Sequence, residues 1–126
     1  MYSDTIPQNG DLQHANYGID NSFVIQQVTT PWDPAQVTWF NQPATTTENQ
    51  IVIPSTSQPF ENLEIDVRTL IQKIVNTNAN YGFMLRLQNE TKYTSRIFCS
   101  SYYFNTSRHP RLVLLYQGGT PTYLLP

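Results

Sequence analysis

Apolar and polar residues alternate in short runs along the chain, and this period of two predicts β-strands. Three runs are the clearest: residues 23–28 (FVIQQV), residues 81–87, where apolar side chains occupy every second position, and residues 111–116 (RLVLLY). The last run is apolar at successive positions, which predicts a strand that is central in its sheet or covered. Shorter candidate strands, bounded by proline or polar residues, are residues 37–40, 51–53, 62–66 and 96–101.

One segment follows a helical period instead. Its apolar positions fall at i, i+3, i+4, i+7 and i+8, which places them on one stripe of a helix. Asp66 precedes the stripe as a natural N-cap, and a polar run from Asn76 ends it. The pattern predicts a single amphipathic helix at about residues 67–76. The stripe consists of Val67, Leu70, Ile71, Ile74 and Val75.

Together these elements predict a mostly β protein, an antiparallel β-sandwich of jelly-roll type with one short helix. The 126 residues suffice for one domain with its own core, which we place at residues 1–117. Residues 1–22 are polar and are expected to be irregular. Residues 118–126 follow as a tail that nothing in the sequence anchors.

Composition and charge limit the partners and the covalent links that the protein can have. Seven Lys and Arg and nine Asp and Glu make 13% of the chain, against roughly 25% in an average globular protein, whereas Asn, Gln, Ser and Thr number 45. The net charge of −2, without a basic cluster, argues against a nucleic-acid partner. No apolar run approaches the roughly 20 residues of a membrane span. Cys99 is the only cysteine, so no disulfide can form within the chain, and we expect a buried, inert thiol.

Several short motifs follow one another along the chain: Trp32, Val37-Thr38-Trp39 with Asn41 and Pro43, Ile65-Asp66-Val67, Asn80-Tyr81-Gly82-Phe83, Phe98 with Ser100-Ser101, and His109-Pro110-Arg111-Leu112 leading to Tyr116. Their order resembles the DNRLRE domain family, which is related to the disaggregatase repeat and to carbohydrate-binding modules. The resemblance spans about residues 23–116. It implies a β-sandwich from a secreted bacterial or archaeal protein, often found beside polysaccharide-degrading enzymes. The chain appears without the family's N-terminal strands and has Tyr102 where the family tends to have an acid.

The two tryptophans allow two interpretations. Aromatic rings stack on the C–H faces of sugars, so Trp32 and Trp39 could bind a ligand. We favour a structural role, in which each ring plugs the sandwich edge and its N–H finds a carbonyl. The residues predicted to be structural are Trp32, Trp39, Asp66, Tyr81, Phe83, Pro110 and Tyr116.

The best candidate for ligand binding is an aromatic loop, because three successive aromatic residues in a loop cannot all point inward. Such rings could stack a sugar while neighbouring polar side chains bond its hydroxyls. The alternative is that the loop packs on its own sandwich or contacts a larger assembly. The candidate ligand-binding residues are Tyr93, Arg96, Tyr102, Tyr103, Phe104, Asn105 and Arg108.

Signals for catalysis are weak. Glycoside hydrolysis needs two facing carboxylates, and no strand pair offers them clearly. His14 and His109 lie outside any nucleophile or metalloprotease motif. We therefore expect neither enzymatic activity nor a cofactor. A structural calcium ion is compatible with the loop acids Asp4, Asp11, Asp20 and Asp33, although their spacing matches no calcium motif.

The sequence thus predicts a non-catalytic, exported, extracellular or cell-surface module that binds polysaccharide. The alternative is a structural or adhesive module of an extracellular filament or surface assembly, without a small ligand. Missing opening strands would leave a sheet edge that pairs with another copy or a neighbouring subunit, with residues 118–126 as a candidate strand donor. Alternatively, residues 1–22 fold back and cover that edge.

Overall fold

The computed structural model describes residues 1–3, 20–56, 61–90, 94–117 and the strand at 122–124. The chain divides into two compact units, each defined by the contacts among its own residues. Unit 1 consists of Met1–Gly18, Thr56–Glu64 and Lys92–Pro126. Unit 2 consists of Ile19–Ser55 and Ile65–Thr91. Most elements are strands. In chain order they are β1 (Phe23–Val28), a 3₁₀ turn (Trp39–Asn41), β2 (Thr45–Ile53), α1 (Arg68–Thr77), β3 (Phe83–Leu87), a second 3₁₀ turn (Thr106–Arg108), β4 (Leu112–Leu114) and β5 (Thr122–Leu124).

Unit 2 is built on a three-stranded antiparallel sheet of order β2-β1-β3. The central strand β1 has the predicted bounds, and all six of its residues are buried. Ile25 lies opposite Leu85 on one side and Ile51 on the other. The pairing with β2 is interrupted next to Gln26, where the register shifts. Strand β1 therefore forms the core of this unit, with both of its faces covered.

Helix α1 confirms the predicted helix, with small shifts at its ends, but the predicted stripe is only partly buried. Leu70 is completely buried, whereas Val75 is exposed. The backbone places Val67 at the cap position, and Asp66 Oδ1 accepts the backbone N–H of Arg68 at 2.9 Å. Asn78 ends the helix in the left-handed conformation at φ 51°, a common role of asparagine.

Several predicted strands are corrected. Residues 37–40 form part of a loop and a 3₁₀ turn, because side-chain bonds described below fold this segment back on itself. The predicted strand 51–53 is the end of the longer β2. The first part of β2 is polar, so the pattern of hydrophobic residues does not identify it as a strand. Strand β3 begins at Phe83, two residues after the predicted start.

The predicted strands at 62–66 and 96–101 are not regular strands either. Leu63 instead exchanges two backbone hydrogen bonds with Met1, at 2.6 and 2.8 Å. In the second segment, Phe98 forms one isolated β-bridge with Ser3, and the buried Cys99 is a free thiol as expected. Residues 1–3 thus pair with both segments at single points rather than along a ladder.

The last predicted strand, 111–116, is shortened to β4 and pairs antiparallel with β5. Part of the tail, expected to be unanchored, is therefore a strand of its own chain. The prediction that this strand is central or covered is wrong: among the described strands β4 pairs with β5 alone, and Val113, Leu115 and Tyr116 are exposed. The structural role assigned to Tyr116 therefore has no support from burial, because the β4–β5 pair leaves one side of the strand open.

Mostly strands, an antiparallel sheet and, within the described residues, one α-helix confirm the predicted fold class at that level. No helix in the described part of the chain is long and apolar enough to cross a membrane.

Candidate functional site

The loop between β1 and β2, residues 29–44, is closed at its base by hydrogen bonds. Thr29 donates its backbone N–H to the carbonyl of Ala44 at 2.8 Å, and the N–H of Ala44 donates to Thr30 Oγ1 at 2.9 Å. The loop is also tied to the start of β3. There the indole Nε1 of Trp32 donates to the carbonyl of Tyr81 at 2.8 Å.

Trp32 is thus attached as expected for a structural tryptophan, although 46% of the residue stays exposed. Its partner Tyr81 is half-buried, as are Phe83 and Pro110. Just before β3, Gly82 adopts φ 83°, a conformation that glycine tolerates and that other residues rarely take. Its carbonyl accepts the N–H of Val28 at 3.0 Å, which extends the β1–β3 pairing by one step.

Trp39 is located on the outside of the molecule, so the prediction that it is a buried plug is wrong. Its 3₁₀ turn is fixed by Asn41, whose Oδ1 accepts the Thr38 hydroxyl at 2.9 Å and whose Nδ2 donates to the carbonyl of Gln36 at 3.0 Å. The turn leaves Trp39 69% exposed and Phe40 almost fully exposed. The sequence signal for this turn is Thr38 followed three residues later by an amide, a capping-box pattern.

A groove of about 810 Å³ runs along β3, one of the two edge strands of the three-stranded sheet among the described strands, and Trp39 lies on its wall. Its lining combines an indole ring and aliphatic side chains with amide, guanidinium and carboxylate groups. Such a mixture suits a ligand with both apolar faces and hydroxyl groups. Apart from Trp39, none of these residues was a sequence candidate. The lining residues are Trp39, Gln42, Met84, Leu85, Arg86, Leu87, Gln88 and Glu90.

The predicted aromatic loop belongs to unit 1, and the structure brings most of its residues together. Tyr102 is 96% exposed and Phe104 85% exposed. Tyr103 is half-buried, and its ring centroid lies 4.5 Å from that of Phe104 at a tilt of 37°. The guanidinium of Arg108 lies 5.5 Å from the Tyr103 ring centroid and donates to the carbonyl of Ser3.

Other residues assigned to this loop have different partners. The Arg96 side chain is only 6% exposed, lies 3.6 Å from the Glu61 carboxylate and faces the Phe98 ring at 5.9 Å. Burial lowers the pKa of the Arg96 guanidinium below its usual value, and the negative charge of Glu61 offsets only part of this change. Arg96 is therefore not open to a ligand, which corrects its assignment.

Asn105 also has a local role, since its Oδ1 accepts the N–H of Ser107 at 3.1 Å and caps the second 3₁₀ turn. Tyr93 lies outside the described residues.

The loop acids that the structure describes make hydrogen bonds within the protein. Asp20 accepts from Ser22 at 3.4 Å and from Asn89, and Asp33 Oδ1 accepts the N–H of Ala35 at 2.8 Å. Within residues 1–3, 20–56, 61–90 and 94–117, no group of three or more His, Cys, Asp and Glu is placed to hold a metal ion. Asp4 and Asp11 lie outside the described residues, so a structural calcium ion stays a prediction.

An open groove beside a sheet edge and two sets of exposed aromatic side chains are typical of a ligand-binding module. Residues 24–116 match the model of carbohydrate-binding module family 96, and the chain belongs to this family. The match confirms the expected class of protein, while the DNRLRE name stays a prediction. No curated protein and no solved structure matches the chain.

Proposed function

We propose that this module binds polysaccharide in the groove along β3, without catalysing a reaction, as part of an exported protein. The observation behind this proposal is the position of Trp39, which is 69% exposed on the groove wall in a member of a carbohydrate-binding family. We further propose that the strands of the chain form a sandwich of jelly-roll type. These finer statements extend the family assignment.

The chemistry of the groove fits a sugar chain. An indole face can stack on the C–H groups of a pyranose ring, and a guanidinium and amides can bond its hydroxyls. Gln42 and Gln88 supply the amides, and Arg86 supplies the guanidinium. An open groove accepts the middle of a long chain as well as its end, which favours a polymer over a monosaccharide.

The aromatic loop of unit 1 is a second candidate site for the same ligand class. Tyr102 and Phe104 are the observation in its favour, since both rings are more than four-fifths exposed. Against it, the tilt between the rings of Tyr103 and Phe104 prevents them from forming one flat platform.

A structural or adhesive function is the alternative. Strand β3 is an edge of its sheet, and an edge strand can pair with a strand from another chain. A partner seated there would occupy the same groove as a polysaccharide, so the two functions would compete.

Affinity electrophoresis in gels containing soluble starch, xylan, glucomannan, pectin or alginate tests the proposal. We expect at least one polysaccharide to retard the wild-type chain, and Trp39→Ala to abolish the retardation. Val75→Ala is the matched control, since Val75 is also a large exposed apolar residue but lies on α1. If instead the double variant Tyr102→Ala, Phe104→Ala abolishes the retardation, the aromatic loop is the site. If no polysaccharide retards the wild type, the binding function is wrong.

Release of reducing ends from the same polysaccharides tests the proposed lack of catalysis. We expect none above the buffer control. Release that persists through purification would contradict the proposal.

A further inference from the structure

We infer that Arg86 is a specificity-determining residue of the groove, and that a chain of hydrogen bonds through the buried Gln26 holds its guanidinium in position. This inference rests on the proposed function, because it assumes that the ligand binds beside β3. It names a binding residue and the buried residues that position it.

The chain of hydrogen bonds crosses all three strands. Arg86 Nη2 on β3 donates to Thr45 Oγ1 on β2 at 3.1 Å. The Thr45 hydroxyl donates to Gln26 Oε1 on β1 at 2.9 Å, and Gln26 Nε2 donates to Gln50 Oε1 on β2 at 2.7 Å. The single hydroxyl hydrogen of Thr45 thus goes to Gln26, which leaves a lone pair to accept from Arg86. All three bonds run in one direction, an arrangement in which each bond polarises the next.

The register of the sheet explains why these residues meet. Directly paired residues point to the same face of a sheet, as do residues two apart on one strand. Val24 pairs with Arg86 and Gln26 pairs with Met84, so Arg86 and Gln26 lie on the same face. In β2, Ile51 lies opposite Ile25 and Thr46 lies opposite Gln27. Residues 47–50 of β2 therefore lie opposite a single residue of β1, Gln26. This irregularity creates the space in which the Gln26 amide meets Gln50 and Thr45.

Gln26 is 6% exposed, so its amide depends on these partners. A buried amide without partners is unfavourable, and pairing at both ends fixes its orientation. Thr45 is consequently held by a rigid group rather than by solvent. Arg86 is exposed, and only one of its guanidinium donors is needed for Thr45, so the remaining donors are free to bond a sugar.

Positioning Arg86 before binding should strengthen the affinity. A free arginine side chain loses rotamer entropy when a ligand immobilises it, and that loss weakens binding. The bond to Thr45 removes part of this freedom in the unbound protein. The groove therefore presents the Trp39 ring and a preset guanidinium together.

The experiment uses the full chain and isothermal titration with the polysaccharide that retards it most strongly. We expect Thr45→Val, which removes the hydroxyl at nearly constant volume, to raise the Kd roughly three- to tenfold, as for the loss of one hydrogen bond. Thr45→Ser should stay close to wild type. Thr47→Val, on an exposed residue of the same strand, is the matched control and should bind normally. Arg86→Gln leaves the Thr45–Gln26 bond intact and should weaken binding at least as much as Thr45→Val.

A second readout separates positioning from general destabilisation. The ¹⁵N relaxation of the Arg86 Nε–H group should report an ordered side chain in the unbound wild type and Thr45→Ser, and a mobile one in Thr45→Val. Normal affinity in Arg86→Gln overturns the inference, as does an unchanged Arg86 order in Thr45→Val. If Trp39→Ala abolishes binding while Thr45→Val and Arg86→Gln leave the Kd at the wild-type value, the groove is the site but this inference is wrong. If the wild type binds none of the polysaccharides, both proposals are wrong.

Discussion

Replacing each loop tryptophan with alanine should reveal that the two residues have different roles. Trp32 is 46% exposed and bonds the Tyr81 carbonyl, whereas Trp39 is 69% exposed. Among the described residues, the Trp39 indole N–H has no hydrogen-bond partner. We therefore expect Trp32→Ala to lower the free energy of unfolding about twice as much as Trp39→Ala, an order-of-magnitude ratio from area burial.

The magnitudes follow from the buried area of each ring. A tryptophan side chain buries up to about 250 Å², at about 25 cal/mol per Å². About half of this area is buried for Trp32, which gives about 3 kcal/mol, and its hydrogen bond adds about 1 kcal/mol. About a third is buried for Trp39, which gives about 2 kcal/mol. Both totals are upper values, because an unfolded chain already buries some apolar surface.

Urea unfolding followed by far-ultraviolet circular dichroism measures both changes without relying on the fluorescence of the deleted ring. Trp32→Phe is a useful third variant: it keeps most of the ring and removes the N–H, and should cost about 1 kcal/mol. If Trp39→Ala costs as much as Trp32→Ala or more, Trp39 is a structural plug. In that case its place in the binding groove is wrong as well.

Three further outcomes test the fold. Leu70→Ala should cost about 2–5 kcal/mol in urea unfolding, because Leu70 is completely buried, whereas Val75→Ala on the exposed side of the same helix should change stability little; equal costs would contradict the helix orientation. Asp66→Ala should cost about 1 kcal/mol in thermal melts by freeing a backbone N–H of the first helical turn, and an unchanged melting temperature would contradict this. Ending the chain at Gln117 removes the partner of β4 and should lower stability without changing the number of chains per particle found by light scattering; a smaller number than in the full chain would instead show that residues 122–124 bridge two copies.

The sequence predicts the elements whose side chains are sorted by burial. Strand β1 is apolar at four of its six positions and is central in its sheet, and α1 has an apolar stripe whose Leu70 is buried in the core. In both elements the hydrophobic effect determines the pattern, so periodicity identifies the type of element. The ends of the helix are predicted less well, because the backbone geometry that defines the cap can shift them by one residue in either direction.

Elements held by backbone or polar bonds are not visible in that pattern. Strand β2 begins with TTTENQ, six polar residues of which half are exposed, and it still pairs with β1. Conversely, residues 62–66 alternate like a strand, but Asn62 and Leu63 meet Met1 and Ser3 through isolated hydrogen bonds rather than a ladder. A half-exposed edge has no strong hydrophobic signal, so local alternation gives the wrong answer in both directions.

The sequence predicts the type of ligand that the candidate site binds but not the position of the site, because polar contacts between distant residues leave no hydrophobic pattern. The low content of charged residues points to polar, uncharged ligands, and the exposed loop aromatics Tyr102 and Phe104 were expected. The groove residue Arg86 could not be found from the sequence, because its value depends on Thr45, 41 residues away, and on the buried Gln26 between them. Only the strand register brings these residues together.

Side-chain amides determine the geometry on both sides of the groove. Asn41 holds the turn that presents Trp39, and Gln26, through Thr45, holds Arg86. None of the bonds in these two arrangements joins two charged groups, so salt screening should leave them largely intact. Loss of one amide, in contrast, leaves its partners without a bond and is felt at the groove surface. A binding surface of this kind should therefore tolerate wide changes in ionic strength and respond sharply to single substitutions beneath it.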